Sequence, residues 1–161
     1  MKLRMSFNAE PDTIQLMDPL DRKLLGLLAE DATLSYKELG ERLHLSAPAV
    51  HERVKKLKKS GAIRGTVARL DGEAVGRPLS AFIHIDTEGW GKSPELMAMA
   101  DDSRVEEIHA VAGDTCMVLK VRCESTRALE DILHRLYSIK GVLRTQSYIV
   151  LNTYLERGPG V

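Results

Sequence analysis

The stretch Leu45–Lys59, L-S-A-P-A-V-H-E-R-V-K-K-L-K-K, decides how this 161-residue chain is read. It describes one amphipathic helix. Ser46 is placed to cap it, because a serine hydroxyl accepts a free amide of the first turn. Pro48 falls within that turn, where a missing amide hydrogen costs little. Val50, Val54 and Leu57 recur at i, i+4, i+7 and make one buried stripe. Pro48, His51, Glu52, Lys55 and Lys59 project away from the stripe, and Gly61 supplies a stop. An apolar back with a polar and basic front suits the major groove of DNA.

Two helices precede this one. Asp18 and Pro19 open a helix to Glu30, whose inner face is Leu20, Leu24, Leu27 and Leu28. Residues 31–34 break it. Ser35 caps the next helix with Glu38 three positions on, the capping-box spacing, and Leu39 and Leu43 face inward. His44 and Leu45 make the turn into the helix capped by Ser46. Three short helices with tight turns and an exposed third helix form a helix-turn-helix. Ala62–Leu70 then alternates loosely through Ile63, Val67 and Leu70, as an extended wing or linker strand would. Residues 71–78, with two Gly and a Pro, read as the linker between domains.

From Leu79 the period becomes two. Leu79, Ala81, Ile83 and Ile85 alternate with Ser80, Phe82, His84 and Asp86, so one face of a strand is buried. A Gly-containing loop at 88–92 carries Trp90, for which subunit packing and simple exposure are both open. Ser93 and Pro94 start a helix to about Asp101. Strands follow at 105–112 and 115–123, joined by a turn at Gly113-Asp114. Ser125 caps a helix with a Leu129, Ile132, Leu133 and Leu136 stripe, ended by Gly141. The last strand is Val142–Tyr154. Strand, helix, strand, strand, helix, strand is the ferredoxin-like split βαβ order. The fold class is therefore α+β, an N-terminal winged helix-turn-helix followed by a ferredoxin-like βαββαβ domain. The expected divisions are a flexible arm at 1–17, the winged helix-turn-helix at 18–62, a wing or linker strand at 63–78, the ferredoxin-like domain at 79–156 and a tail at 157–161. Helices cover one face of a four-stranded sheet, and the other carries Phe82 and Val118, so a homodimer through this domain is expected.

Net charge is zero, but it is unevenly placed. Met1–Leu70 carries 13 Lys and Arg against 9 Asp and Glu, and residues 71–161 carry 10 against 14. A basic front half fits an anionic partner. No apolar run approaches ~18 residues, so no membrane span is expected, and Met1–Met17 lacks the apolar core of a secretory signal. Cys116 and Cys123 stand an odd number of positions apart on one expected strand, so they face opposite ways and no disulfide is expected between them. A reducing cytoplasm fits. His84, His109 and Cys116 lack any nucleophile motif, and with Cys123 they lack short metal-ligand spacing, so neither an enzyme nor a metal site is expected.

Taken together, M-D-P-L-D-R-K-L-L at Met17–Leu25, L-S-A-P-A-V-H-E-R-V-K-K-L-K-K-S-G-A-I from Leu45, A-V-A-G-D-T at Ala110–Thr115 and L-R-T-Q-S-Y-I-V-L-N-T at Leu143–Thr153 resemble the Lrp/AsnC (feast/famine) transcriptional regulators. The resemblance runs unbroken from Met17 to Glu156. It implies dimers that often assemble into octamers, double-stranded DNA as partner, and a small effector, usually an amino acid, with no other cofactor. It departs from the family at Glu52, where many members are basic, and at Cys116, where an acid is common.

For DNA, Lys37, Arg42, Arg53, Lys55, Lys56, Lys58 and Lys59 are the phosphate candidates. Ser46, Ala47, Pro48, His51 and Glu52 lie at the base-reading start of the helix. By charge alone the lysine run reads equally well as a solvated face; the helix-turn-helix context favours DNA. Arg53 flanks the buried stripe, so a structural pairing with Glu38 or Glu41 stays open beside the phosphate role. For the effector, the resemblance points to Ala112, Gly113, Asp114, Thr115 and Cys116 and to Thr145, Gln146 and Ser147. A Gly-containing loop lets backbone groups approach a ligand closely, although Gly113-Asp114 also reads as a plain turn. The expected function is a sequence-specific transcriptional regulator, nucleoid-associated in the cytoplasm, whose assembly or DNA affinity responds to the effector. An architectural DNA-binding protein without effector and a small-molecule-sensing interaction module are the alternatives.

Overall fold

The computed structural model describes residues 17–89 and 93–161. Residues 1–16 of the expected arm, and Trp90, lie outside the described residues. The chain divides into two units. One comprises the described residues up to Val67 with Arg157–Val161, and the other is Ala68–Glu156.

In the first unit, α1 (Pro19–Glu30) starts at Asp18, whose carboxylate accepts the Leu20 amide at 2.9 Å. α2 (Tyr36–Leu43) carries the capping box foreseen from its spacing. Ser35 Oγ accepts the Glu38 amide at 3.2 Å, and Glu38 Oε2 accepts the Ser35 amide at 2.8 Å. α3 (Ala47–Lys59) is capped by Ser46, which accepts the Ala49 amide at 3.4 Å. The turn between α2 and α3 is tight. His44 takes a left-handed φ of 56°, and the Leu45 amide donates to the Gly40 carbonyl at 2.9 Å. A Cβ on Gly40 would stand 2.4 Å from the Leu45 carbonyl oxygen, so only glycine fits there. Leu24, Leu39, Leu43, Val50, Val54 and Leu57 form the core between the three helices.

The second unit runs β1 (Leu79–Thr87), α4 (Pro94–Met97) with a 3-10 turn at Ala98–Asp101, β2 (Val105–Ala110), β3 (Met117–Cys123), α5 (Thr126–Tyr137) and β4 (Val142–Ile149). The strands make one antiparallel sheet in the order β2-β3-β1-β4, the ferredoxin-like arrangement. Ala81, Ile83 and Ile85 of β1 and Leu119 and Val121 of β3 pack on Leu129, Ile132 and Leu136 of α5. The alternate residues Phe82, His84, Val118 and Tyr148 are left on the other face.

Two expectations are corrected. Residues 63–78 form no strand, so the helix-turn-helix has no wing among the described residues. Ile63 joins the helical core, Arg64–Leu70 is exposed, and the alternation there meets no partner strand. Residues 71–77 instead make a turn, with the Ala74 amide on Asp71 Oδ1 at 2.7 Å and the Arg77 amide on the Gly72 carbonyl at 2.7 Å. β4 also ends at Ile149 rather than Tyr154. Ile149 pairs with Ala81, and after the Val150 amide bonds the Ser80 carbonyl at 2.9 Å, β1 offers no further partner.

On the helical side, the Asp102 carboxylate holds Arg104 Nη2 at 2.6 Å and also pairs with Arg135. Chiefly through the Arg104 side-chain hydrogen bonds, against the cost of burial, its carboxyl is held far below the usual carboxylate range. A carboxyl depressed on folding adds stability that is complete above its unfolded pKa of about 3.9 and is lost as pH falls toward the folded value. Asp102→Asn should therefore cost on the order of 2 kcal/mol at pH 7. The gap to the unsubstituted protein should close as pH drops below about 4, measured by urea denaturation across pH.

Candidate nucleic-acid interface and effector cleft

α3 presents two faces. Val50, Val54 and Leu57 are buried, while Pro48, His51, Glu52, Lys55, Lys56, Lys58 and Lys59 are exposed. Ala47 is half-buried and Ser46 is occupied as the cap. Lys37, in the first turn of α2, is also exposed. Glu52 Oε1 lies 3.7 Å from His51 Nδ1 and 3.9 Å from Lys55 Nζ, so the acidic side chain sits among the basic ones at the surface.

Arg53 is placed differently from the other basic residues. Its Nη1 donates to Asp21 Oδ1 at 2.6 Å and to Asp18 Oδ2 at 2.8 Å. These bonds hold the guanidinium more firmly protonated than a free arginine. They tie α3 to the start of α1, so neither Glu38 nor Glu41 is its partner. The Asp21 side chain is only 5% exposed. Because α1 and α3 are joined by tertiary packing, local spacing gave no sign of this pair.

In the second unit the 111–116 loop is closed by the Val111 amide on the Cys116 carbonyl at 3.1 Å. It is pinned to β1 by Thr115 Oγ1, which donates to the Ile85 carbonyl at 2.9 Å. The loop borders a cleft of about 450 Å³ over the open face of the sheet. Of the expected effector residues, Ala112, Gly113, Asp114, Thr115 and Gln146 line it. Thr145 and Ser147 do not, because they pair with Ile85 and Ile83 and so point to the helical face. Cys116 packs against the core instead. The lining residues not singled out beforehand are His84, Asp86, Val111, Val118, Arg144 and Tyr148. All but Val111 lie on strands, where the period of two marked their shared face. Arg144 Nε donates to Asp86 Oδ2 at 2.8 Å, and this bond is the main reason the Asp86 carboxyl titrates below its ordinary value. The His84 and Tyr148 rings meet with centroids 4.8 Å apart. Two acids, Asp86 and Asp114, one guanidinium, a backbone loop and an aromatic wall are donors and acceptors suited to a small charged molecule.

Residues 17–58 match the AsnC-type helix-turn-helix domain, and residues 80–159 match the Lrp/AsnC ligand binding domain. The transcriptional regulator LrpA of Mycobacterium tuberculosis is 40% identical over 141 residues, covering 87% of this chain and 93% of the relative. This chain belongs to the Lrp/AsnC family. The solved structure of Escherichia coli AsnC superposes with a TM-score of 0.80 at 28% identity, covering 91% of this chain and 99% of that one. A feast or famine regulatory protein of M. tuberculosis complexed with L-methionine superposes with a TM-score of 0.78 at 40% identity, covering 86% and 95%. As a member of the Lrp/AsnC family the chain is a transcriptional regulator with a DNA-binding helix-turn-helix and a ligand-binding domain. Among the described residues no helix is long and apolar enough to cross a membrane.

Arg53→Ala leaves the Asp21 carboxylate buried without its partner and should cost about 1–3 kcal/mol of stability. Lys55→Ala should cost almost nothing by the same denaturation curve. Coincident curves for Arg53→Ala and the unsubstituted protein would return Arg53 to the phosphate-binding set.

Proposed function

We propose that α3 lies in the major groove with Ala47, Pro48, His51 and Glu52 toward the bases, and that Lys37, Lys55, Lys56 and Lys59 hold phosphates. The observation that carries this reading is the exposed lysine row opposite a buried Val50, Val54 and Leu57 stripe. Ser46 contributes as the cap that sets where the helix starts. In this reading residues 18–62 are the DNA-binding head, 63–78 the connection, 79–156 the effector and oligomerisation domain, and 157–161 a tail. The protein acts at the nucleoid and catalyses no reaction. Phe82, Val118 and Tyr148 on the open face of the sheet support a homodimer through the second domain, and higher assembly of such dimers to an octamer. Two recognition helices per dimer then reach successive major grooves about one helical turn apart.

The cleft takes an amino acid. Arg144 offers a cation for the carboxylate and Asp86 an anion for the ammonium, with Gln146 and the 112–115 loop supplying further polar groups. Val111, Val118 and Tyr148 face the side chain. The relative complexed with L-methionine supports a neutral, apolar amino acid as the ligand class.

Gel shift across a salt series tests the DNA face. Lys55→Ala with Lys59→Ala should lower the slope of log affinity against log salt by roughly 2 per bound helix. An unchanged affinity and slope would remove α3 from the interface. Thermal shift against the common amino acids tests the cleft. A ligand at one hundred times its Kd should add about 2.7 kcal/mol of stability, and Arg144→Ala should abolish that gain. A panel with no stabilising amino acid would favour an architectural protein.

A further inference from the structure

Among the described residues of the first unit, one aromatic contact joins α2 to the exposed front of α3. The Tyr36 ring stands against the His51 imidazole with centroids 5.2 Å apart and planes at 44°. Tyr36 is the first residue of α2, inside the Ser35–Glu38 capping box, and His51 lies on the exposed front of α3. Both are too exposed for the contact to be core filling: Tyr36 is 38% exposed and the His51 side chain 54%. Glu52 stands on the Nδ1 side of the imidazole. The ring is thus bordered by the Tyr36 ring and, on its Nδ1 side, by a carboxylate, and Nε2 has no hydrogen-bond partner among the described residues.

We propose that Tyr36 is a positioning residue for base reading, setting the His51 imidazole before DNA arrives, so that base preference at this contact depends on a residue outside α3. The inference rests on the reading of α3 as the recognition helix. An exposed histidine on a helix samples several rotamers and loses that freedom on binding. An aromatic neighbour on a separately capped helix narrows the set in advance. Tilted aromatic pairs of this kind are worth roughly two- to tenfold in an equilibrium constant. The effect is confined to the one base pair that His51 meets, because Tyr36 contributes no charge to the phosphate term.

The test is a double-mutant cycle on the full chain. Selection from a random DNA pool first gives the preferred site, and single-base variants of that site are then titrated by fluorescence anisotropy. His51→Ala identifies the base pair whose preference it erases. Tyr36→Ala should reduce discrimination at that same pair by roughly two- to tenfold with the salt slope unchanged. Tyr36→Phe, which keeps the ring, should retain the preference. Tyr36→Ala should add nothing in a His51→Ala background. Equal weakening on every sequence, or additive losses in the double variant, would overturn the proposal, as would a Tyr36→Phe loss equal to that of Tyr36→Ala. A His51→Ala variant with unaltered preference would overturn it as well. Each variant's melting curve checks that it is folded, and the exposed position of Tyr36 makes a folded Tyr36→Phe protein the expected reference. If Lys55→Ala with Lys59→Ala lowers affinity while Tyr36→Ala leaves preference intact, this inference fails and the DNA reading of α3 stands. If neither changes binding, the recognition-helix reading fails.

Discussion

The pleat of β1 is the constraint on which the second unit depends. β1 is paired along both edges, to β3 and to β4, so it cannot slip without breaking two ladders. A one-residue shift in register would send Ile83 and Ile85 to the open face and His84 and Asp86 into the core. Burying an aspartate there without Arg144 is far more costly than exposing a methyl group. The same alternation therefore builds the core and assembles the cleft. Ile83 and Ile85 pack on α5, while His84 and Asp86 come into line with Val118, Gln146 and Arg144 on neighbouring strands.

The first unit solves a different problem. Three short helices bury a small leucine and valine core, which alone stabilises a domain of this size only modestly. Local caps at Asp18, Ser35 and Ser46 fix where each helix begins. The Arg53 bonds to Asp18 and Asp21 then close α3 onto α1. That arrangement spends one basic residue of α3 on structure and leaves the lysines for solvent or phosphate. It also means that charge counted along α3 overstates the charge offered to DNA.

Much of the fold was legible in the residues. Ser35 with Glu38 marked α2, Ser46 with Pro48 marked the start of α3, and the change of period at Leu79 marked the sheet domain. Each signal is local, spanning one turn of helix or a few residues of strand. The failures share a cause as well. The loose alternation at 63–70 looked like a wing strand, but a strand exists only when another strand accepts its hydrogen bonds. Val142–Tyr154 was read too long because β-rich composition continues past the point where β1 ends. The family resemblance points to Thr145, Gln146 and Ser147 together, yet consecutive strand residues face opposite ways, and only Gln146 faces the cleft.

By itself the amino-acid sequence determined the element order, the helix caps, the buried stripe of α3 and the family to which the chain belongs. The caps and the stripe depend on spacing within a dozen residues, where backbone geometry leaves few choices, and the family on several such stretches in order along the chain. Tertiary structure decided which charges are free. Arg53 meets Asp21 across 32 positions and Arg144 meets Asp86 across 58, and Tyr36 reaches His51 from a separate helix. Pairings of that kind arise from how whole elements pack, and no local pattern encodes them.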